Sequence, residues 1–376
     1  MDGAIVAHDQ AGAAALAAAL IWALSGCAGP ASGVGYYWQS VSGHLRLMGA
    51  ARPLHDWIED AQTPAELRQR LQLAQRMRRF AVDALALPDN ASYHRYADLQ
   101  RRAAVYNVVA APELSLTLKQ WCFPVAGCVG YRGYFNESDA KAFAASLTDG
   151  PMDVAVYPVL AYSTLGWMNW AGGDPLLNTF IAYPEGELAR ILFHELAHQV
   201  VYVADDTAFN ESFATAVERL GGARWLTQAS EKAQREYAAF DARRQAFRAL
   251  TRDTRENLQA IFEDVNTTAD QKRQLKAGEM ARFHARYAEM RQHWAGYRGY
   301  DAWVARANNA SFGAQAAYDD LVPGFEALFE REGRDFARFY DAVRSLARQT
   351  PEQRLTALTD LAPALRAATP ARTTNP

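Results

Sequence analysis

The chain has few cysteines and lysines and no segment of strongly one-sided charge. Three of its 376 residues are cysteines, five of its 39 basic residues are lysines, and 42 acidic residues nearly balance the basic ones. Blocks of like charge that would bind nucleic acid or an acidic membrane surface are missing, so we expect no nucleic-acid partner. Half of the residues are hydrophobic, which is enough for a substantial core in one large domain or two smaller ones.

Long hydrophobic runs are also scarce. The apolar run at residues 11–24 is too short to span a bilayer comfortably and is followed by small residues, as in a signal peptide. The letters "LSGC" at 24–27 resemble the lipobox of bacterial lipoproteins, in which cleavage leaves a lipid-modified cysteine. We therefore expect a signal peptide over residues 1–27, lipidation of Cys27 and a tether over residues 28–35. An ordinary cleaved signal stays open as the alternative, because the first ten residues contain no Lys or Arg.

Under both interpretations we expect the protein to be exported from the cytoplasm. The lipoprotein interpretation places it in the bacterial periplasm, held to the outer membrane through its lipid anchor only. Export also decides what we expect of Cys122 and Cys128, whose spacing differs from the C-x-x-C of zinc ribbons and thioredoxin sites. In an oxidising compartment two nearby cysteines most often form a disulfide, which we expect here, with two buried free thiols as the alternative.

The patterns after the tether predict a mostly helical α+β protein. Helix start signals occur at Thr63 and Thr350, each followed by proline and then by Glu or Gln at the third position. Amphipathic stretches at 230–262 and 270–294 predict two long helices whose charged residues cover solvated faces. We expect one domain over residues 36–366 and a disordered tail over residues 367–376.

Three short segments have the composition of strands. They are rich in aromatic or β-branched residues, are bounded by Gly, Pro or Asn, and cover residues 129–135, 153–160 and 178–183. All three precede the most informative segment of the chain. The sequence therefore predicts one small sheet directly upstream of that segment.

That segment contains two histidines four residues apart with a glutamate beside the first. A helix from about residue 184 to residue 203 places His194 and His198 on one face, so that both imidazoles can reach a common point. Glu195 lies close enough to touch a water at that point without being a ligand. This is the H-E-x-x-H pattern of zinc hydrolases, in which two histidines bind the metal and the glutamate is the general base. The other histidines after the expected signal peptide, at 44, 55, 94, 284 and 293, carry no such pattern.

Catalytic zinc usually has a third protein ligand. The position six residues after the second histidine is Ala204, which cannot bind a metal. Glu211 is the better candidate, because a break near Asp205 and Asp206 would let a second helix fold back beneath the first. Glu218 lies two turns further on and is either an acceptor behind a ligand or, less favoured, a ligand itself.

Several motifs together resemble a known family. "HELAH" followed by "NESFA" resembles the gluzincin metallopeptidases, and with "WCFPVAGCVGYRGYF", "AYSTLGW" and "DPLL" the chain resembles the bacterial putative aminopeptidase family of zinc-dependent envelope lipoproteins. The resemblance covers roughly residues 36–354. It implies a zincin-like fold, a peptide substrate, zinc bound by His194, His198 and Glu211, and Glu195 as the general base.

Two functions therefore stand side by side. The first is a zinc-dependent peptidase, in which residues 178–183 supply a strand edge for an extended substrate and Tyr287, His284 or Tyr318 stabilises the oxyanion. The second is an envelope scaffold or binding lipoprotein with a structural or vestigial zinc site. Glu195 favours the first, because a structural site is closed by four ligands and does not need an unligated carboxylate.

Overall fold

The computed structural model describes residues 33–123, 127–147, 150–166 and 169–362. The expected signal peptide, the lipidated Cys27 and the expected tail over 367–376 lie outside these residues. The first helix begins at Gly33, three residues inside the stretch expected to be a tether. The fold is α+β and mostly helical, as the sequence predicts, with small sheets.

The described residues form thirteen helices, eight strands and one short 3-10 turn. The helices are α1 (Gly33–Gly49), α2 (Leu54–Glu59), α3 (Ala65–Leu85), α4 (Glu137–Ala145), α5 (Glu185–Ala197), α6 (Thr207–Leu226), α7 (Glu231–Glu263), α8 (Ala269–Gln292), α9 (Asp301–Val304), α10 (Asn309–Asp319), α11 (Val322–Arg331), α12 (Phe336–Ala347) and α13 (Pro351–Leu361). The strands are β1 (Arg52–Pro53), β2 (Arg95–Ala97), β3 (Val105–Pro112), β4 (Trp121–Phe123), β5 (Gly127–Val129), β6 (Arg132–Tyr134), β7 (Met152–Val159) and β8 (Leu176–Leu177), and the 3-10 turn is Asn169–Ala171.

The strands form three small sheets rather than one. Their orders are β1-β2-β8, β6-β3-β7 and β4-β5, and only the β2-β8 pair is parallel. Strand β3 is the centre of the second sheet and was not predicted. Val108 packs with α4 on one face and Val109 with α10 on the other, so the strand is buried on both sides and lacks the polar alternation that marks a half-exposed strand.

Of the three predicted strand segments, one matches a strand, one is divided between two strands and one is not a strand. Residues 153–160 match β7 within one residue, whereas residues 129–135 split into β5 and β6, which belong to different sheets. The strand predicted at 178–183 is wrong. This segment is a turn in which the N–H groups of Phe180 and Ile181 donate to the carbonyl of Leu177, and their apolar side chains are in the core.

The connection from α5 to α6 sets the position of the predicted site. Helix α5 ends at Ala197 instead of continuing to residue 203, and Asp206 caps α6 by accepting from the N–H of Phe209 at 3.1 Å. The Asn210 side chain clamps the loop by accepting from the N–H of Val203 at 2.8 Å and donating to its carbonyl at 2.7 Å. Helix α6 therefore folds back along α5, as the sequence predicts.

Two apolar clusters hold the helices together. The larger one joins α3, α5, α6, α11 and α12, and a second one, which includes Phe247, Phe283 and Tyr287, lies between the long helices α7 and α8. The capping box predicted at Thr350 is present, but α3 starts without a side-chain cap from Thr63. No helix in the described part of the chain is long and apolar enough to cross a bilayer.

Asp206 also forms a salt bridge with the buried side chain of Arg354. This pair allows a test of how the start of α6 is held in place. Oδ2 of Asp206 accepts from Nε and Nη2 of Arg354 at 2.9 and 2.7 Å, and the Arg354 side chain is only 5% exposed. We expect Asp206→Ala to lower the free energy of unfolding by about 3–5 kcal/mol, because it leaves a buried charge uncompensated.

Urea denaturation measures that loss, and Asp341→Ala is the matched control. Asp341 is 77% exposed and pairs with Arg344 at 2.8 Å on the surface, so we expect a loss of less than about 1 kcal/mol. Equal losses in the two variants would contradict the proposed role of the buried pair.

Candidate metal site

Helices α5 and α6 bring the three predicted ligands together. His194 Nε2 and His198 Nε2 lie 3.2 Å apart, and Glu211 Oε2 lies 3.3 Å from the first nitrogen and 3.6 Å from the second. These residues form a cluster in which each offers one ligand atom within 4.8 Å of the others. Three potential ligand atoms therefore face one point.

The spacing of these atoms fits a tetrahedral transition metal. A zinc ion with ligands at about 2.0–2.1 Å separates any two of them by roughly 3.3 Å, which is the edge of the tetrahedron. The three observed separations of 3.2, 3.3 and 3.6 Å are close to this value. Two imidazoles and one carboxylate are also the donor types that such an ion prefers.

Glu218 supports the first imidazole from behind. Its Oε2 lies 3.1 Å from Nδ1 of His194, while its Oε1 accepts from Nη2 of Arg190. Arg190 is almost completely buried and also lies 3.4 Å from Asp241. Glu218 thus occupies the acceptor position behind a ligand, which fixes the orientation and tautomer of the ring.

His198 has no matching support. Among the described residues, its buried Nδ1 has no hydrogen-bond partner. Among the described residues, His194 is therefore the only predicted histidine ligand whose imidazole is oriented by a carboxylate behind it, that of Glu218.

The electrostatics of the site favour a cation between the imidazoles and the carboxylates. Burial alone would raise the pKa of Glu211, but His198 and His194 lower this pKa to about 2. Burial opposes protonation of His194, yet hydrogen bonds to Glu211 and Glu218 raise the pKa of His194 well above its ordinary value. A bound metal cation would satisfy the same carboxylates.

Glu195 differs from the carboxylate of Glu211. It is partly buried on α5, and burial raises its pKa while His194 and His198 oppose this rise. It is not a member of the ligand cluster. The structure therefore provides a carboxylate near both imidazoles that is free to act as a base.

A group of tyrosines surrounds Glu211, and sequence reasoning identified only one of them. Burial, followed by the charge of Glu211, raises the pKa of Tyr157 to about 12 and also raises the pKa of Tyr131. For Tyr318 on α10 the charge of Glu211 is the first cause of a pKa well above the ordinary value. The ring of Tyr318 stacks over that of His194 with 6.4 Å between centroids.

The other proposed oxyanion donors lie elsewhere. Tyr287 donates to Asp301 at 2.6 Å within the cluster between α7 and α8, and His284 is exposed on α8. The remaining histidines in the described part of the chain do not join the site either. His44 contacts the Tyr162 hydroxyl at 3.0 Å, His55 pairs with its neighbour Asp56, and those at 94 and 293 are exposed.

A buried aspartate fixes the loop that contains "STLG". Asp174 accepts from the N–H of Thr164 at 3.0 Å and from the hydroxyl of Ser163 at 3.4 Å, and its own N–H donates to Ser92. Ser92 in turn accepts from the side chain of Gln199 at 3.2 Å, just after α5. The motif "DPLL" contains this aspartate, but the sequence alone gave no reason to assign it a role.

The cysteine pair also contacts the α5–α6 connection. Cys122 and Cys128 face each other across β4 and β5 and are joined as a disulfide. The N–H of Cys128 donates to Oδ1 of Asp205 at 2.5 Å. Gly127 has φ +72°, and a Cβ there would lie 2.5 Å from the same oxygen, so glycine is required at this contact.

Comparison with protein-family models identified a match over most of the chain. The model of a family described as "Putative aminopeptidase" matches residues 35–358, which is most of the chain. No curated protein and no solved structure matches. Because the family model covers well over half of the sequence, the chain belongs to the "Putative aminopeptidase" family.

Proposed function

We propose that this protein is a zinc-dependent peptidase of the bacterial cell envelope. One observation carries the proposal: His194, His198 and Glu211 converge on a single point while the carboxylate of Glu195 lies beside it outside the ligand cluster. The family description supports a peptidase, and specifically an aminopeptidase. The ligand geometry supports zinc.

The roles of the residues follow from their positions. Zinc held by His194, His198 and Glu211 would supply Lewis-acid activation of water and of the substrate carbonyl. Glu195 accepts the proton of the attacking water and then delivers it to the leaving amine. Glu218, held by Arg190, keeps the His194 ring in the orientation that binds metal.

Tyr318 and strand β7 are suited to handle the substrate. The ring of Tyr318 stacks on that of His194. Its hydroxyl is therefore the candidate hydrogen-bond donor to the developing oxyanion. Among the described strands, β7 is an edge strand of its sheet. It contains Tyr157, whose pKa is raised by burial and by the charge of Glu211. This edge replaces the rejected segment 178–183 as the place where an extended peptide can pair its backbone.

The alternative function, a scaffold with a structural zinc site, is less consistent with the site. Structural zinc is normally closed by four protein ligands. In the described part of the chain the cluster contains three, and Glu195 remains beside it without a ligand role. Three ligands and a neighbouring base are the composition of a catalytic site.

The ligand assignment predicts unequal effects of two similar substitutions. Purified protein should contain about one zinc per chain, and His194→Ala or His198→Ala should abolish it. Glu211→Gln removes a ligand, so its loss of zinc affinity should exceed that of Glu218→Gln, for which we expect about 10–100-fold. Competition with a chelator of known affinity measures both variants. A larger loss in Glu218→Gln would transfer the ligand role to Glu218.

The proposed base predicts a loss of turnover without a loss of metal. Glu195→Gln preserves size but removes basicity, so kcat for peptide hydrolysis should fall by roughly two to four orders of magnitude. Zinc content and thermal unfolding should equal those of the parent. Turnover that survives this substitution would refute the mechanism.

Tyr318→Phe provides a comparison at the same site. It removes a hydroxyl and leaves the ring, so we expect kcat to fall by about 10²–10³ with little change in KM, as for loss of one oxyanion donor. An increase in KM alone would show that Tyr318 only binds substrate.

The location at the envelope rests on sequence alone and has its own test. If Cys27 is lipidated, Cys27→Ser should release the protein from membrane fractions and block processing at this site. The measurement is fractionation with mass spectrometry of the mature N-terminus. Normal processing of the variant at the same bond would favour an ordinary cleaved signal.

A further inference from the structure

A cavity of about 720 Å³ lies between α6, α7, α10 and α11. None of His194, His198 and Glu211 is among its lining residues. Its most frequent lining side chain is arginine, at positions 219, 244, 248, 252 and 255. This volume is within the range of about 300–1,000 Å³ that is typical of sites for small molecules.

Four of these arginines form one face of α7. Residues 244, 248, 252 and 255 are spaced three or four apart, which places them along one side of a helix. The sequence predicted that the charged residues of this helix would cover a solvated face. In the structure this arginine face is not buried, with Arg252 exposed, and it lines the cavity opposite α10 and α11.

Positive charge predominates on the described lining. Five guanidinium groups and the carboxylates of Asp241 and Glu326 line the cavity, and Glu187 and Asp320 bind Arg244 and Arg255 from outside this lining. Some of these arginines also contact acids at the rim, such as Asp320, which is 45% exposed, and Glu326, which is 38% exposed. Exposed pairs of this kind contribute little stability, so a ligand anion can share or replace them.

An unsatisfied amide adds an independent indication of a ligand. Gln315 on α10 lines the cavity, and among the described residues its buried Oε1 has no hydrogen-bond partner. Buried polar groups are nearly always paired, so this atom needs a partner beyond the described residues, which a ligand or a water molecule can supply. The assignment of O and N in an amide is interchangeable, so Gln315 can either accept from a ligand or donate to it.

We propose that this cavity binds a small organic dianion, either a dicarboxylate or a phosphate monoester. Guanidinium groups recognise both kinds of group through paired, planar hydrogen bonds, and several forks at helical spacing can engage two such groups at once. The proposal concerns binding at the cavity and does not depend on peptidase activity.

The cavity is joined to the metal site by a chain of charged contacts. Asp241 lines the cavity and lies 3.4 Å from Arg190, which binds Glu218 behind His194. Arg244 also lines the cavity and contacts both Asp241, at 3.0 Å, and Glu187. Substitutions at Asp241, Arg190 or Arg244 would disturb both sites. The test therefore uses cavity arginines that are not part of this series of charged contacts.

Isothermal titration of the purified protein at low ionic strength tests the proposal. The probes are glutarate for carboxylates and glycerol 2-phosphate for phosphates, with acetate as a singly charged control. We expect at least one dianion to bind with one site per chain and at least tenfold more tightly than acetate. The dianion that binds with the higher affinity shows whether the cavity prefers carboxylate or phosphate ligands.

Arg248→Gln/Arg252→Gln should weaken that binding at least tenfold, because each charge-assisted hydrogen bond contributes about that factor. Arg235→Gln is the matched control, since Arg235 is on the same helix and its side chain is 73% exposed. It should bind like the parent. Thermal unfolding verifies that the double variant is folded, and the exposed single variant Arg252→Gln replaces it if it is not.

Three results would overturn the proposal. They are the absence of binding by both dianions, equal binding of acetate, and parent-like affinity in the folded arginine variants. Equal weakening in Arg235→Gln would also overturn it, because the effect would then reflect the general charge of the protein rather than the cavity.

Discussion

The antiparallel packing of α5 against α6 is the contact on which the site depends. It aligns His194 with Glu218 and His198 with Glu211, so that imidazoles on one helix meet carboxylates on the next. Groups of this kind are costly to bury unless they compensate one another. The surrounding apolar residues of both helices, such as Leu192, Phe193 and Phe213, keep water away and strengthen this requirement.

The rest of the structure near the site can be understood as support for that contact. Asp206 and Asn210 fix the reversal of the chain, and Arg190 neutralises the carboxylate of Glu218 that would otherwise be buried as an unpaired charge. The disulfide hairpin contacts the same reversal through Asp205. These groups come from distant parts of the sequence, yet each limits the freedom of the two helices to separate.

Much of this could be predicted from the sequence, for a physical reason. The spacing of His194, Glu195 and His198 is a local property of one helix, and Glu211 follows soon after, early in the next helix. The mostly helical fold was likewise evident from apolar periodicity. Each of these inferences depends only on residues close together in the sequence.

What the sequence did not predict depends on contacts between distant segments. Strand β3 is covered on both faces, so its apolar run has no strand periodicity. Residues 178–183 have strand-like composition because they form a turn that buries Phe180 and Ile181 in the core. The influence of Glu211 on the pKa values of Tyr131 and Tyr157 depends on segments that are distant in the sequence. The sequence also does not show that α10 and α11 lie opposite the arginine face of α7 across a cavity.

The central claim is that one metal ion binds where the two imidazoles and Glu211 converge. Diffraction from crystals of the purified protein, recorded on both sides of the zinc absorption edge, tests it most directly. The account predicts one anomalous peak per chain within about 2.2 Å of His194 Nε2, His198 Nε2 and a Glu211 oxygen, with a fourth position not taken by the protein. A peak bound by Glu195, or no peak at this point, would contradict it.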